Sequence, residues 1–562
     1  MRLRFLVVVT SVIVASLSCG SRDGDTIFAA PKEDATAPGD FGGDAGDAAP
    51  ELVVRDPTDC EEAAKTRSYV GCDYWPTVTA NGVWSIFDFA AVVANTGAKP
   101  AEVTVTGPNA VDVHVTVPPG ELRKIPLPWV PALKGGDVDE CGNLAGPAAT
   151  VLAPESAYHL VSTTPVTVYQ FNALQYEAES PDAGGAKDWS SCIGTTKACV
   201  PDVPPPLKPV PQLAGCYSFS NDASLLLPST ALTGTYRITG QRGYSANGKD
   251  IDGAFIAITA TQPATKVTVA LASKANIVAS TSGPAIAAAN GGTTIELVLA
   301  NAGDVVELAT PKGSANDLSG STVHASAPVQ VIAGNPCLEL PPGKPACDHI
   351  EETVLPAETL GKTYVVAPPT GPKGTAVHHI VRFYGNTNGT ALTYAPSKPF
   401  GCPVSLDAGQ VVECEATTDA FEVSATHEIA ITTFLLGARY FDPHGADRRG
   451  DPSATNAIAI EQFRTSYVFL APDDYPDAFA DIIAPPGANI VLDGAPVTAA
   501  LAPIAKYGVV RVKLDAQKGG AHVLTASAPV GVEVVGYGAN TSYHYPAGMN
   551  LSLLAPPPPG PK

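Results

Sequence analysis

Ala526-Ser-Ala-Pro-Val-Gly-Val532 is a short apolar phrase that returns, with variations, along the chain. The other copies are Ser162-Thr-Thr-Pro-Val-Thr-Val168, Ala325-Ser-Ala-Pro-Val-Gln-Val331 and Ala425-Thr-His-Glu-Ile-Ala-Ile431. The last three copies begin 100 and 101 residues apart, whereas the first two begin 163 residues apart. Self-similarity at a period near 100 residues predicts one fold unit used four times, with an insertion after the first use.

A second repeated phrase predicts how each unit is built. It runs through Phe89–Val105 and Phe255–Val269, and looser copies occupy His379–Tyr394 and Phe479–Leu492. Each copy contains two stretches of period-two alternation around a polar turn, a pattern typical of a β-hairpin. We therefore expect the two stretches of each copy to pair with each other.

A third phrase opens the later units. Leu227-Pro228 precedes Tyr236 by about eight residues, and Leu355-Pro356 precedes Tyr364 by the same distance. Tyr467 holds the matching place in the fourth unit, where the proline is missing.

Together the repeats predict an all-β protein of four tandem antiparallel β-sandwich-like repeats of about 100 residues each. A β-propeller in which each repeat forms two blades is the alternative. Shared interfaces between similar repeats would give a rigid extended or ring-like body. The predicted segments are a signal peptide (1–18), an acidic tether (19–58), repeat 1 (59–175), a Cys- and Pro-rich insert (176–221), repeat 2 (222–336), repeat 3 (337–440), repeat 4 (441–554) and a Pro-rich tail (555–562).

The N-terminus predicts an exported lipoprotein. Arg2 and Arg4 precede an uncharged apolar stretch that is too short to span a membrane. Ser16-Leu-Ser-Cys19 is similar to a bacterial lipobox, although Leu17 lies one position closer to the cysteine than usual. Cys19 is therefore the predicted lipidation site, with signal cleavage before Cys19 but no lipid as the alternative. Gly20 after the cysteine favours the outer membrane, so we expect a membrane partner through the lipid anchor.

The remaining ten cysteines predict disulfide bonds in an oxidising compartment. Close spacing favours four local pairs, and elimination leaves a fifth. The predicted pairs are Cys60–Cys72, Cys192–Cys199, Cys337–Cys347, Cys402–Cys414 and Cys141–Cys216. No spacing typical of a zinc site is present.

Composition narrows the choice of partner. The formal net charge is −21 at pH 7, and only 16% of the residues are charged. An acidic surface repels phosphate backbones, so nucleic acid is not an expected partner.

Two groups of residues are candidates for ligand contact. Asp473, Asp474, Asp477 and Asp481 form an acidic segment that could supply oxygen ligands to calcium, although a solvated hairpin tip is the simpler interpretation. Apart from calcium, no cofactor is expected. Loop aromatics suit glycan or protein contacts, although packing between repeats is the simpler interpretation. These aromatic-rich segments contain Tyr384, Tyr394, Phe400, Tyr537, Tyr543, His544 and Tyr545.

The chain resembles the N-terminal domain of the IgGFc-binding protein family, as a bacterial lipoprotein member. Six phrases in the family's order carry the resemblance across roughly residues 80–550. They are the aromatic opening of Trp84, Phe87 and Phe89, then Ser162-x-x-Pro-Val-x-Val-Tyr169, Asp222-Ala-Ser-Leu-Leu-Leu-Pro228 followed by Tyr236, Phe255-Ile-Ala-Ile258, Leu318-Ser-Gly-Ser321 and Gly450-Asp-Pro-Ser453. The insert at 176–221 and the missing proline before Tyr467 depart from the pattern.

The resemblance implies a non-catalytic surface protein that binds a protein or glycan ligand or mediates adhesion, and it carries over no defined binding residue. A secreted carbohydrate-active or proteolytic enzyme is the first alternative, and it requires paired carboxylates in a cleft. An envelope scaffold protein is the second.

The lipoprotein interpretation predicts the chemistry of the mature N-terminus. Mass spectrometry of the protein purified from membranes should find an acylated Cys19 as the first residue, because export and lipobox cleavage would expose it. Recovery of an unmodified soluble form would refute the anchor.

Overall fold

A computed structural model describes residues 56–137, 149–178, 187, 189, 217–344, 347–441, 449–515 and 520–558. These residues belong to one compact unit, Val54–Lys562. Within the described ranges, no helix has both the length and the apolar character needed to cross a bilayer. Signal peptide, Cys19 and most of the tether lie outside the described residues.

Strands dominate the described residues, and nearly all of them pair antiparallel, as predicted for an all-β protein. The first third of the chain contains β1 (Gly71–Tyr74), β2 (Phe89–Ala94), β3 (Ala101–Gly107), β4 (Val111–Val117), β5 (Leu122–Leu127), β6 (Thr150–Ala153), β7 (His159–Phe171) and β8 (Ala223–Leu226). The helices are short: α1 (Cys60–Thr66), α2 (Pro131–Lys134) and α3 (Ala438–Phe441).

The middle of the chain continues with β9 (Thr235–Arg237), β10 (Tyr244–Ala246), β11 (Lys249–Asp252), β12 (Phe255–Ala260), β13 (Thr265–Ala270), β14 (Ser280–Ser282), β15 (Thr294–Leu299), β16 (Val305–Ala309), β17 (Thr322–Ala325), β18 (Val329–Leu338) and β19 (Asp348–Thr353). Next come β20 (Thr363–Val366), β21 (His379–Gly385), β22 (Thr390–Ala395), β23 (Ser405–Leu406), β24 (Val411–Glu413), β25 (Phe421–Ala425), β26 (Ile429–Leu435) and β27 (Ala454–Asn456). The last strands are β28 (Arg464–Leu470), β29 (Asp477–Ala484), β30 (Ile490–Leu492), β31 (Ala495–Pro496), β32 (Ala502–Ile504), β33 (Tyr507–Leu514), β34 (Ala521–Gly538) and β35 (Thr541–Pro546).

One pairing order appears in four sets of strands, which we name sets I to IV. In set II, one sheet contains the order β19-β18-β12-β16 and the other has the order β9-β17-β13-β15. The matching orders are β8-β7-β2-β5 and β1-β7-β3-β4 in set I, β27-β26-β21-β24 and β20-β25-β22-β23 in set III, and β35-β34-β29-β33 and β28-β34-β30-β31 in set IV. Each set is thus a sandwich of two sheets around apolar side chains.

The predicted hairpins of the second phrase are wrong. The strands β2 and β3 do not pair with each other, because β2 pairs with β5 and β7 while β3 pairs with β4 and β7. The turn between them crosses from one sheet to the other, and the same holds for β12 and β13. Alternation shows which face of a strand is apolar, but two strands that face each other across a sandwich core alternate just as paired neighbours do.

The first phrase marks the place where the chain changes sheets. In set I the single strand β7 pairs with β3 through Ser162 and with β2 from Thr167 onward. In set II the corresponding change separates β17 from β18 at residues 326–328. A proline at this point is tolerated because it interrupts the strand where the sheets separate.

In each set, a buried tyrosine stabilises the point where the chain crosses between the two sheets. This tyrosine lies in β1, β9, β20 or β28. Its hydroxyl donates to the backbone carbonyl of the apolar residue that follows the proline or glutamate of the first phrase. The four bonds run from Tyr74 to Val166 (2.6 Å), Tyr236 to Val329 (2.5 Å), Tyr364 to Ile429 (2.5 Å) and Tyr467 to Val530. The first and third sequence phrases therefore meet in each set, and Tyr74 is the member that the sequence did not reveal.

The last strand of each set lies at the centre of the molecule. Strand β8 contacts β19, β19 contacts β27, β27 contacts β35, and β35 contacts β8, which closes a ring. The predicted boundaries at 222, 337 and 441 assign β8, β19 and β27 to the following repeats, but these strands pair with β7, β18 and β26 of the preceding sets. Each set thus ends in a strand that belongs to this ring.

The tyrosine contacts give a stability prediction. Tyr364→Phe should lower the free energy of unfolding by about 1–2 kcal/mol, because the buried carbonyl of Ile429 and the amide of Gly361 would lose their hydroxyl partner. Chemical denaturation followed by circular dichroism measures the change. Tyr440→Phe, at a half-buried tyrosine outside these four crossings, is the matched control. Equal effects of the two substitutions would contradict the assigned role.

Candidate functional site

The densest group of polar side chains lies inside the ring of last strands. Asp222 accepts hydrogen bonds from four backbone amides there. Oδ1 accepts from Ala223 (2.9 Å) and His544 (3.3 Å), while Oδ2 accepts from Glu351 (3.1 Å) and Ala454 (3.4 Å). These four donors belong to β8, β35, β19 and β27, so one carboxylate touches all four sets.

Two neighbouring carboxylates extend the same network. Asp348 accepts from the hydroxyl of Thr541 (2.7 Å) and from the amides of Asn221 (2.9 Å) and Ser542 (3.2 Å). Glu351 accepts from the hydroxyl of Thr79 (2.7 Å) and is also bonded to the side chains of Gln170 and Asn172. These acids are completely buried and fully engaged, so their arrangement supports a structural role.

Burial dominates the electrostatics of this centre. It raises the pKa of Asp222, Asp348 and Asp451 well above the ordinary carboxyl range, and neighbouring acids raise the pKa of Asp222 and Asp451 further. It lowers the pKa of His379 to about 3, so that this imidazole is neutral at physiological pH. Neutral forms avoid most of the desolvation cost of burying charge.

The structure does not gather the four aspartates of the calcium hypothesis. Asp473 pairs with Lys124 (2.6 Å), and Asp474 accepts from the amide of Tyr176 (2.7 Å). Asp477 pairs with Lys513 (2.9 Å) and Arg449, whereas Asp481 accepts from the amide of Thr370 (2.8 Å). Within the described ranges, no group of three or more His, Cys, Asp or Glu side chains could hold a metal ion. The acidic segment is therefore divided among separate partners, an arrangement that does not support the calcium hypothesis.

Most of the candidate aromatic side chains are core residues. Tyr384, Tyr537, Tyr543 and Tyr545 have no exposed surface, and His544 is 1% exposed. Tyr394 is partly buried, and Phe400 is 77% exposed. Packing between strand sets, the simpler interpretation, explains the buried group.

Three of the predicted disulfide bonds are present: Cys60–Cys72, Cys337–Cys347 and Cys402–Cys414. Each closes a short loop within or beside one sandwich. The other four cysteines, Cys141, Cys192, Cys199 and Cys216, lie outside the described residues.

An open concavity lies between sets II and III, and we name it the seam cleft. Its larger part has a volume of ≈ 630 Å³ and its adjoining smaller part ≈ 330 Å³. Both parts are lined by Ala272 and Ser273 of set II and by Gly409 and Gln410 of set III. Volumes of this order suit a small ligand or the end of a larger one.

Two glycines create the floor of the seam cleft. Gly320 and Gly409 have φ values of 85° and 78°, in the left-handed region that favours glycine. A Cβ on Gly320 would lie 2.2 Å from the carbonyl oxygen of Gly409, so only glycine permits this approach of the two backbones. Gly320 belongs to the Leu318–Ser321 phrase, which therefore forms part of the contact between the two sets.

A row of side chains with alternating positive and negative charge lines the smaller part of the cleft. Arg242 binds Glu413 through two contacts of 3.1 Å, and Arg382 approaches Glu413 (3.4 Å) and binds Asp317 (2.6 Å). Burial by itself would raise the pKa of Asp317, but the charge of Arg382 and the hydrogen bonds from Arg382 and Ser319 together outweigh burial and lower that pKa below its ordinary range. Asp317 therefore stays ionised at neutral pH.

Arg237 lines the larger part and differs from these arginines. It is 7% exposed, and Nη1 donates to the carbonyl of Gly320 (2.7 Å). In the part of the chain that the structure describes, its Nε has no hydrogen-bond partner and its guanidinium has no carboxylate partner within ion-pair distance. Burial lowers its pKa to about 10, so it remains a cation at neutral pH.

Sequence reasoning missed the seam cleft. Isolated arginines in strands resemble solvent-facing residues, and their meeting depends on contacts between sets. The available signal was the Leu318–Ser321 phrase, because a glycine between two serines directly before a strand can mark a close backbone approach.

Fold and cleft together describe a multi-sandwich all-β protein with a polar concavity between two sandwiches. The sequence model of the family described as IgGFc binding protein matches residues 222–536. That is more than half of the chain, and the chain belongs to this family. The match begins at Asp222 and extends through set II, set III and most of set IV.

Two further likenesses are more limited. The human IgGFc-binding protein is 31% identical over 160 residues, which are 28% of this chain and 2% of the human protein. This chain thus matches only a small part of the length of that relative. A solved structure titled as a tetra-tandem repeat in the extending region of a large adhesion protein has 11% identity, covers 86% of this chain and 99% of its own, and has a TM-score of 0.08. That score supports no structural inference.

The Asp222 contacts predict a large effect of substitution at the centre. Asp222→Ala should destabilise the fold by at least ~3 kcal/mol, because four buried amides would lose their acceptor. Asp222→Asn removes the titration but keeps one oxygen. Because folding raises this pKa above 3.8, the stabilising contribution of the wild-type acid is complete below pH 3.8 and decreases as the pH rises.

The destabilisation caused by Asp222→Asn should therefore become smaller between pH 5 and pH 8. Unfolding of wild type and variant in denaturant at both pH values measures this difference. Asp419→Asn, at an exposed aspartate, should show no such trend. A pH-independent difference at position 222 would contradict the buried, raised-pKa acid.

Proposed function

We propose that this chain is a non-catalytic cell-surface lipoprotein, anchored in the outer membrane through Cys19, that binds a protein or glycan ligand. Membership of the IgGFc-binding family supports a binding or adhesion role. The single structural observation that carries the proposal is the seam cleft, whose walls combine main-chain groups, hydroxyls and charged side chains. Two sandwiches supply the walls of this surface, and loops carried on such a framework are a common place for recognition.

The electrostatics of the cleft favour binding over hydrolysis. An acid–base hydrolase needs one carboxyl group that holds a proton near neutral pH. Asp317 is held ionised by Arg382, and Glu413 is occupied by Arg242 and Gln241. These two acids organise arginine side chains, and the enzyme alternative gains no support from them.

A binding screen tests the proposal. The purified full-length mature protein, labelled and kept in detergent, would be applied to arrays of glycans and surface proteins. We expect at least one ligand whose binding is lost in Ser273→Tyr, because a ring on this exposed wall residue would fill the cleft.

Ser405→Tyr places the same ring on an exposed residue that lines neither part of the cleft, and it should bind like the wild type. Absence of any ligand, or equal binding by both variants, would overturn the assignment of the cleft.

A further inference from the structure

The guanidinium of Arg237 differs from those of the neighbouring arginines, because no carboxylate among the described residues lies within ion-pair distance of it. Arg382 and Arg242 lie in the same seam, and each faces a carboxylate at 2.6–3.1 Å. Arg237 is buried to a similar degree as Arg382, yet its hydrogen bond among the described residues goes to a neutral carbonyl. A buried cation with no opposing charge is energetically costly, and such groups are normally paired.

The cleft beside Arg237 leaves space for an anionic partner of its guanidinium. The larger part of the cleft, with its volume of ≈ 630 Å³, opens directly beside Arg237. The approach of Gly320 to Gly409 brings Arg237 close to set III, because a Cβ on Gly409 would lie 3.4 Å from Arg237 Nη1. The guanidinium thus stands at the wall between the two sets, with Nη1 bound to Gly320 and with Nε buried and without a hydrogen-bond partner in the described part of the chain.

The other residues that line the larger part of the cleft indicate which kind of molecule could carry an anionic group to Arg237. Thr322, Ser273 and Gln410 offer hydroxyl and amide groups, and Leu271 is the one large apolar side chain among the described residues that line the larger part of the cleft. Asp407 also lines it and already accepts from the amide of Gly389 (2.9 Å), so one of its oxygens is occupied. This mixture of donors and acceptors matches the hydroxyls of a sugar ring better than an apolar side chain.

We propose that the larger part of the seam cleft binds a carboxylated saccharide unit, with Arg237 as the residue that receives the carboxylate. Guanidinium groups bind carboxylates with two parallel, charge-assisted hydrogen bonds. Ser273, Thr322 and Gln410 would then face the ring hydroxyls. This inference rests on the proposed binding function and specifies the ligand class at the same cleft.

Matched ligands test the charge requirement. Isothermal titration calorimetry of the full mature protein would compare galacturonate with its methyl ester, which retains the ring and its hydroxyls but removes the charge. We expect galacturonate to bind with a Kd of roughly millimolar and the ester at least about tenfold more weakly. Equal binding of the two compounds, or no binding of galacturonate, would overturn the proposal. Binding of acetate as tightly as galacturonate would overturn the saccharide assignment.

Matched variants test the residue. Arg237→Gln should weaken galacturonate binding by at least about tenfold, and Arg237→Lys should give an intermediate loss, because lysine keeps the charge without the two-pronged geometry. Arg123→Gln removes the same charge from a partly exposed arginine in set I and should bind like the wild type. Unchanged affinity in a folded Arg237→Gln protein would overturn the role of this arginine.

Two further measurements separate loss of carboxylate binding from misfolding and from failure of the broader binding proposal. Circular dichroism establishes whether Arg237→Gln is folded, and Ser273→Tyr, an exposed substitution, provides a second way to block the cleft. An array ligand that Ser273→Tyr abolishes and Arg237→Gln leaves intact would support the binding function while refuting the carboxylate assignment. Failure of the array alone would count against the broader proposal.

Discussion

A single carboxylate, that of Asp222, accepts an amide hydrogen from the last strand of every set. A buried acid in this position costs free energy unless its oxygens are satisfied, and here each oxygen has two backbone donors. Each donor must point inward at a fixed position along its strand. The registers of β8, β19, β27 and β35 are therefore coupled, and through them so are the sheets to which these strands belong. Apolar packing within the sandwiches supplies most of the driving force, whereas this centre determines how the four sandwiches meet.

The buried polar centre can determine how four similar sandwiches are arranged relative to one another. Four sandwiches with similar apolar edges could associate in several orders and orientations. Asp348 and Glu351 both belong to β19, but Asp348 binds groups of β35 and of the segment before β8, whereas Glu351 binds side chains of set I. An exchange of two sets would leave these buried acids without donors, at a cost of about 1–3 kcal/mol for each unsatisfied group. Specificity of arrangement is thus the best-supported role for so many buried polar residues.

Sequence periodicity predicted the strands and the repeated phrases but not their partners. The phrase around Phe89 indicated two strands correctly, yet their placement in opposite sheets depends on burial of both faces of β2, where Phe89, Ala91 and Val93 enter one core and Ala90 and Val92 another. The continuous apolar run of β2 beside the alternating run of β3 was the usable signal. Asp222 was visible within a family phrase, but Glu351 and His544 lie 129 and 322 residues away, so its role could not be read locally. Arg237 was missed for the same reason.

The four seams between neighbouring sets are built from different contacts. The seam of sets I and II is filled by a buried segment that includes Thr77 and Thr79, which bond to Thr259 and Glu351. Sets III and IV are joined where Asp481 binds Thr370, and sets IV and I where Tyr169 packs against Tyr545. At the seam of sets II and III, two glycine backbones and the ion pairs Arg242–Glu413 and Arg382–Asp317 make the contact, and an open cleft remains beside them. Because the ring of last strands fixes both sandwiches, the walls of this cleft are positioned before any ligand arrives, and binding would require little ordering of the protein.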